Sequence, residues 1–544
     1  MTEQKPQGDS IARNVGFSFA AQMVGAAATA ALTLYLVRAL GPSEFGALGI
    51  ALGLGALVLL PGDFGISGSA SRFIAEHRGE WPVIGGLLRD AMRVKLAVTG
   101  VLALAMFALA EPIADAYGSG ALTWTLRGMA LAIFGQSFFM LFTGAFVALG
   151  RISLNLRLVT TESLVEVASA ATLVLLGAGA AGAAFGRAIG FSVAVGLGIV
   201  LGIKAIGRSN LLHGRAPEGG SRRIFRYGGA LMVIDGAYAL LVPIGTLLLG
   251  AFLDARAVGV YSAPARFIVF LHYPGLSIAS AVAPRLARGR NTEPDVPALV
   301  SGLRWIILIQ TVLVAPTIVW ARPITEILLG DGYARSADVL ALLAPFTFMS
   351  GFAPLLSLSV NYLGEARRRV PIAVITLLLS VGLDIWLIQD IGLLGSAISS
   401  DIAYGFNVLG HLWICKRLLD LPLRPVARDL ARALLAAAAM SGVMAAFGTH
   451  HLDAPAIVAG GIAGVAVYVG VLLLTRAVTV EELRGARDAV ARKFGRGGRG
   501  PLVDESGLEV GEEARGGVAV EEGVPVAQGH EEPTVHGHGS ERRP

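Results

Sequence analysis

The sequence predicts an all-α polytopic membrane protein of about fourteen transmembrane helices, and three observations predict it. The 544 residues are 54% hydrophobic and 15% charged, with a mean hydropathy of +0.67, against roughly 25% charge in a soluble domain. Apolar stretches long enough to cross ~30 Å of hydrocarbon recur along most of the chain. Seventy glycines, set among abundant alanine, suit close helix packing in lipid, where small residues let backbones approach. A genome biased towards Gly, Ala and Arg codons accounts for them equally well.

Taken in order, hydropathy and charge breaks place helices at roughly 14–38, 44–70, 86–110, 122–149, 153–177, 182–207, 226–252, 256–284, 299–321, 336–362, 369–389, 393–416, 427–448 and 454–475. Residues 1–13 are polar, and the apolar run after them is too long for a cleavable signal, so the first helix is a retained span. Arg and Lys concentrate in alternate connections, at Arg72/Arg78, Arg151/Arg157, Arg208 to Arg223, Arg285 to Arg290, Arg367 to Arg369 and Lys416/Arg417/Arg424. The intervening connections are nearly bare, so the positive-inside rule puts both termini in the cytoplasm of a cell-membrane protein. That requires an even number of spans.

The chain reads as a duplication. Leu40 to Glu76 pairs a Gly-Pro turn with a long apolar run broken at Pro61 and Asp63, and Leu249 to Arg290 is a weaker copy. Gly46 answers to Gly259 and Arg72 to Arg285, both 213 residues on (259 − 46 and 285 − 72). Similar spacings relate Gly150 to Gly364, Gly182 to Gly395 and Pro112 to Pro323. Six helices per copy is an even number, so the two repeats are parallel, about an axis along the membrane normal. The expected organisation is a cytoplasmic N-terminus (1–13), an N-lobe (14–210), an inter-lobe loop (211–225), a C-lobe (226–420), two extra helices (421–476) and a charged, disordered tail (477–544).

Several chemistries are excluded. Cys415 is the single cysteine, which forbids intrachain disulfides and cysteine metal clusters. None of the five lysines follows a glycine, so there is no Walker A loop, and no two aspartates stand two apart. The outward loops are too short for a catalytic domain. The expectation is a transporter and not an enzyme, without cofactor, metal or nucleic-acid partner.

Polar groups inside the spans then carry the search, because an ionisable group at mid-bilayer costs ~2.5–3.5 kcal/mol on insertion scales. The first helix has a polar stripe through Gln22, Gly25, Thr29 and Thr33; the fifth has Asn155, Glu162 and Glu166; the eighth has Ser262, Arg266 and Tyr273. Lipid rejects such faces, so they turn towards a cavity shared by both lobes. Arg127, Arg187 and Arg266, with Gln22, Asn155 and Tyr273, are the substrate-cavity candidates, since guanidinium pairs with a diphosphate through forked hydrogen bonds. The carboxylates Asp63, Glu162, Glu166, Asp235, Asp384 and Asp401 are candidates to carry a coupling proton or sodium. Glu162 and Glu166, one turn apart, would share one proton between them. Helix-stapling ion pairs explain each of these residues equally well, and Asp63 in particular fits a helix break.

The runs RALGPSEFGALGIAL and DFGISGSASRFIAE, the Gly150-Arg151 opening of the fifth helix and the GAAGAAFG hairpin resemble the polysaccharide (O-antigen type, Wzx-like) flippases of the multidrug/oligosaccharidyl-lipid/polysaccharide exporter superfamily. The resemblance covers about residues 10–476. It implies two six-helix lobes around a central cavity that rock between inward- and outward-open states. It also implies flipping of a lipid-linked saccharide, typically on undecaprenyl diphosphate, driven by an ion gradient, alongside membrane lipids and polysaccharide polymerase or synthase partners. Alternatives are a lipid II flippase, a cation-coupled multidrug antiporter of the same superfamily, and a non-transporting membrane scaffold with a dry lobe interface.

Overall fold

The computed structural model describes residues 11–63, 65–216, 236, 239–241, 243–287, 293–450, 452–482 and 484, and every regular element among them is helical. Two units are distinguished, Met1–Thr479 and Val480–Pro544. The first contains the helices of the bundle.

The N-terminal half contains α1 (Ile11–Asp63), α2 (Ile66–Glu76), α3 (Trp81–Ala108), α4 (Ala110–Ala116), α5 (Gly120–Ala148), α6 (Ile152–Leu175), α7 (Gly179–Ile206) and α8 (Arg208–His213). The next stretch contributes α9 (Ala239–Phe252), α10 (Ala255–Leu271), α11 (Tyr273–Val282), α12 (Val296–Val319) and α13 (Ala321–Leu329). Then come α14 (Ser336–Leu342), α15 (Ala344–Ser350), α16 (Ala353–Tyr362), α17 (Arg369–Ile391) and α18 (Leu393–Leu419), followed by α19 (Leu423–Ala446) and α20 (Ala454–Leu474).

This is an all-helical polytopic membrane protein. Among the described residues ten helices are long and apolar enough to cross a membrane, or eleven if the bent run from Ser336 to Tyr362 is one span. The difference from the expected fourteen has physical causes. The first two expected helices run together as α1, where only Gly41, at φ 67° and ψ 177°, leaves helical geometry. The run after Leu393 is long enough, but Asp401, Asn407 and His411 make it polar. Of the expected 226–252 helix, residues 226–235, 237–238 and 242 lie outside the described residues. Pro345 and Pro354 stand in the first turns of α15 and α16 and divide the expected 336–362 helix, while Pro274, in the first turn of α11, leaves Ala255–Leu286 a single span.

The two halves meet closely at the end of the bundle that carries Gly41 to Gly46. A Cβ at Gly46 would overlap the backbone of Ala255, and one at Gly259 would overlap that of Pro42. Backbones this close leave room for no side chain. The Tyr333 hydroxyl donates to the Val37 carbonyl at 3.0 Å, and the Arg38 guanidinium donates to the last carbonyls of α13, those of Ile327 and Leu328. The final helices lie against α12: Tyr468 donates to the Leu308 carbonyl at 2.8 Å, and the Trp320 indole donates to the carbonyls of Met444 and Gly448.

Candidate functional site

The central site is built by α7 lying tightly on α6. Gly182, Gly186 and Gly190 fall every fourth residue on one face of α7. A Cβ at Gly186 would enter the backbone of Ala170, and one at Gly190 would stand 2.9 Å from the Glu166 Cβ. That contact brings Arg187, next to Gly186, within 2.7 Å of the Glu166 carboxylate. The Arg187 guanidinium also lies over the Phe191 ring, 4.9 Å from its centre. Its Nε–H is buried without a hydrogen-bond partner. One turn earlier on α6, Glu162 is buried, accepts from the Ser163 hydroxyl at 3.1 Å, and faces the Glu166 carboxyl closely enough to share a hydrogen bond with it.

These groups line a cavity of about 510 Å³, together with Thr29 and Thr33 of α1, Gln136 of α5 and Arg266 of α10. Among the described residues Arg266 is the one lining member that comes after residue 225. It reaches the cavity because α10 crosses α1 at the glycine contact, where Gly49 also packs on Val258. Among the described residues it forms no ion pair. The site therefore holds two guanidinium groups, one engaged by a carboxylate and one unengaged, with hydroxyl and amide groups around them. Such a set can bind an anion through forked, charge-assisted hydrogen bonds.

The structure thus gathers Glu162, Glu166, Arg187 and Arg266 and places the other sequence candidates elsewhere. Gln22 is exposed, beyond the cavity end of the stripe that continues into Gly25, Thr29 and Thr33. Asn155 lies in a separate open depression with Ser71, Arg72 and Thr143. Tyr273 is exposed and does not line the cavity. Arg127 stacks on Trp124, itself exposed, and stands 3.8 Å from Glu111. Asp63 is bound to Lys95 and accepts from the Ser67 hydroxyl at 2.6 Å, across the break between α1 and α2. Asp401 accepts from the Phe346 N–H at 2.7 Å and so holds the first turn of α15. Asp235 lies outside the described residues.

Asp384 forms a second polar site. It is 2% exposed, its Oδ1 has no hydrogen-bond partner, and the hydroxyls of Ser380, Ser396 and Ser399 surround it. It borders a cavity of about 270 Å³ that Tyr261 and Ser400 also line. A buried carboxylate with one oxygen unpartnered and serine hydroxyls beside it is an oxygen-donor set that suits a small cation or a proton. Sequence reasoning missed Lys95, fully buried and bonded to the Ser137 carbonyl and hydroxyl at 2.8 Å each, and Gln136 in the cavity. The signal for Lys95 was present, an ammonium group inside the apolar run 86–110.

The family model described as "Polysaccharide biosynthesis protein" matches residues 11–290. A "Probable low-salt glycan biosynthesis flippase Agl15" of Haloferax volcanii is 22% identical over 401 residues, 72% of this chain and 81% of that one. A "Putative O-antigen transporter" of Shigella flexneri is 24% identical over 198 residues, 36% of this chain and 47% of the relative. Among solved structures, "Lipid II flippase MurJ, inward closed conformation" superposes with a TM-score of 0.67 at 14% identity, covering 88% of this chain and all of that one. An inward-facing MATE family multidrug transporter superposes at 0.61 with 17% identity, covering 72% and 94%. These two likenesses are of fold.

Proposed function

From the premise that this chain belongs to the polysaccharide biosynthesis protein family, we propose that it flips a lipid-linked oligosaccharide of the undecaprenyl-diphosphate type across the cytoplasmic membrane. It does so by alternating access, coupled to an ion gradient. The observation that carries the reading is the meeting of Arg187 and Arg266, one from each side of the inter-lobe connection, at one cavity. A diphosphate head offers the paired anionic oxygens those groups require, while the prenyl tail stays in hydrocarbon. The relatives named as a glycan flippase and an O-antigen transporter support this substrate class.

In this reading residues 14–210 and 226–420 are the two lobes, 421–476 adds two helices outside the repeat, and 477–544 is a cytoplasmic tail. With both termini cytoplasmic, the end joined by Gly46 and Gly259 is the outer end, and the site is shut off from the outside there. Asp384 serves as the ion-coupling group. Polysaccharide polymerases are the partners that would receive the flipped product. A multidrug antiporter fits less well, because two arginines repel a cationic drug, and a scaffold has no use for a polar cavity.

Arg187→Ala and Arg266→Ala are each expected to weaken head-group binding about 10- to 100-fold, the worth of one lost charged hydrogen bond. In a deletion strain, complementation by either variant should leave a lipid-linked glycan accumulating on the cytoplasmic leaflet, at unchanged protein levels in the membrane. Normal polysaccharide export with both replaced would overturn the reading.

A further inference from the structure

We infer that Glu166 is a built-in substitute for the substrate's phosphate, which holds Arg187 in the empty cavity and gives it up to the diphosphate while taking a proton. The inference rests on the diphosphate reading above. The geometry behind it is specific. Glu166 Oε1 occupies one Arg187 donor at 2.7 Å, while the Nε–H of the same guanidinium is buried and unused. The side chain is fixed in place by Phe191. An arriving diphosphate therefore meets one arginine that is free, Arg266, and one that is already engaged by a carboxylate.

Charge balance in the cavity supplies the reason for the proton. The lining from α1, α5, α6, α7 and α10 carries four ionisable groups among the described residues: Glu162, Glu166, Arg187 and Arg266. The other polar groups facing them, Thr29, Thr33, Gln136 and Ser163, are neutral. A prenyl diphosphate sugar is a diester with two negative charges. With one proton already shared by Glu162 and Glu166, binding it would leave one uncompensated negative charge in the cavity, which is costly. Once Arg187 turns to the phosphate, Glu166 has lost its counter-ion and faces Glu162 at hydrogen-bonding range. A proton from cytoplasmic water then settles on Glu166. No other bond is made or broken.

Proton and substrate therefore help each other bind, and by linkage the effect is reciprocal. At this site they travel outward together, so an inward proton gradient opposes export here. The driving ion must act elsewhere, and the Asp384 site in the other half is separate from this cavity.

The test uses the full chain in lipid nanodiscs and farnesyl-diphospho-N-acetylglucosamine, a diester that does not itself titrate near neutral pH. Titration calorimetry in two buffers of different ionisation enthalpy should show about one proton taken up per ligand, and affinity should fall up to about tenfold per pH unit at alkaline pH. Glu166→Gln should abolish both the uptake and the pH slope, and should bind at least tenfold more tightly than the parent at alkaline pH. Wild-type binding without proton uptake, or Glu166→Gln with the parental slope, overturns this inference and leaves the diphosphate site standing. No wild-type binding, or binding unchanged by Arg187→Ala with Arg266→Ala, overturns both. The wild-type proton count needs no variant to fold.

Discussion

At the scale of single residues the bundle separates two kinds of buried charge. Lys95 and Asp63 satisfy one another and Ser137, Thr99 and Ser67 close the network, so they staple α1, α3 and α5. Glu166, Arg187 and Arg266 face a cavity, where the Arg187 Nε–H is left without a partner. Lys95→Met should destabilise the protein by about 3–5 kcal/mol by leaving Asp63 uncompensated, and Lys95→Met with Asp63→Asn should recover most of that. Thermal unfolding in detergent measures both, and a double variant as unstable as the single one would show that the pair is not the cause. The sequence marked each of these residues except Lys95 as an intramembrane charge. It could not say which were paired, because pairing depends on helix neighbours far apart in the chain. Glu162 and Glu166 were legible as a unit, since four residues on one helix fix their relation.

At the scale of elements, glycine sets the distances. The ladder Gly182, Gly186 and Gly190 brings α7 onto α6, and the Gly46–Gly259 crossing brings α10 onto α1. The second contact is reciprocal: Gly46 meets Ala255, and Gly259 meets Pro42. In sequence each pair member lies at the repeat spacing from a member of the other pair, which is the pattern two equivalent helices make about a two-fold axis. Gly46→Leu should disfavour the closed crossing by about 1–3 kcal/mol, as overpacking does, a shift of roughly 5- to 150-fold. A Thr33→Cys reporter in a Cys415→Ala background should then react faster with an impermeant thiol reagent added outside. Unchanged labelling would mean that the crossing does not gate the cavity. Apart from the first two expected helices and the 226–252 helix, the helical runs begin and end within about five residues of where hydropathy puts them. The breaks at Pro345 and Pro354 were visible too, but the expected helix ran through them because hydropathy alone does not register a proline.

At the scale of the whole molecule, α19 and α20 come last among the helices of the bundle and are firmly joined to α12. Arg304 donates to the Ala477 carbonyl at 2.6 Å, and Ala477 and Val478 are buried. The first unit accordingly extends to Thr479, two residues past the start of the tail expected from composition. Removal of residues 480–544 should leave flipping unchanged. A cut after Arg476 removes the hydrogen bond that Arg304 donates to Ala477, worth about 1.5–3 kcal/mol for a bond to a charged group, and should lower the melting temperature. Equal melting of the two truncations would show that the contact contributes nothing. Composition put the start of the tail at residue 477 and could not register this contact, which comes from an arginine more than 170 residues upstream.

The Lys95 pair also bears on how the protein is made. A nascent α3 presents an ammonium group to the bilayer at a cost of ~2.5–3.5 kcal/mol, and its partner is 32 residues earlier in the chain. The cost lapses only when the end of α1 arrives beside α3, so the two are expected to leave the translocon together, as one hairpin. A chain ending after Ala108 and carrying Asp63→Asn should insert α3 less completely than its parent in microsomes or inverted vesicles. A salt bridge that staples the finished bundle thus also sets the order in which its first helices become membrane.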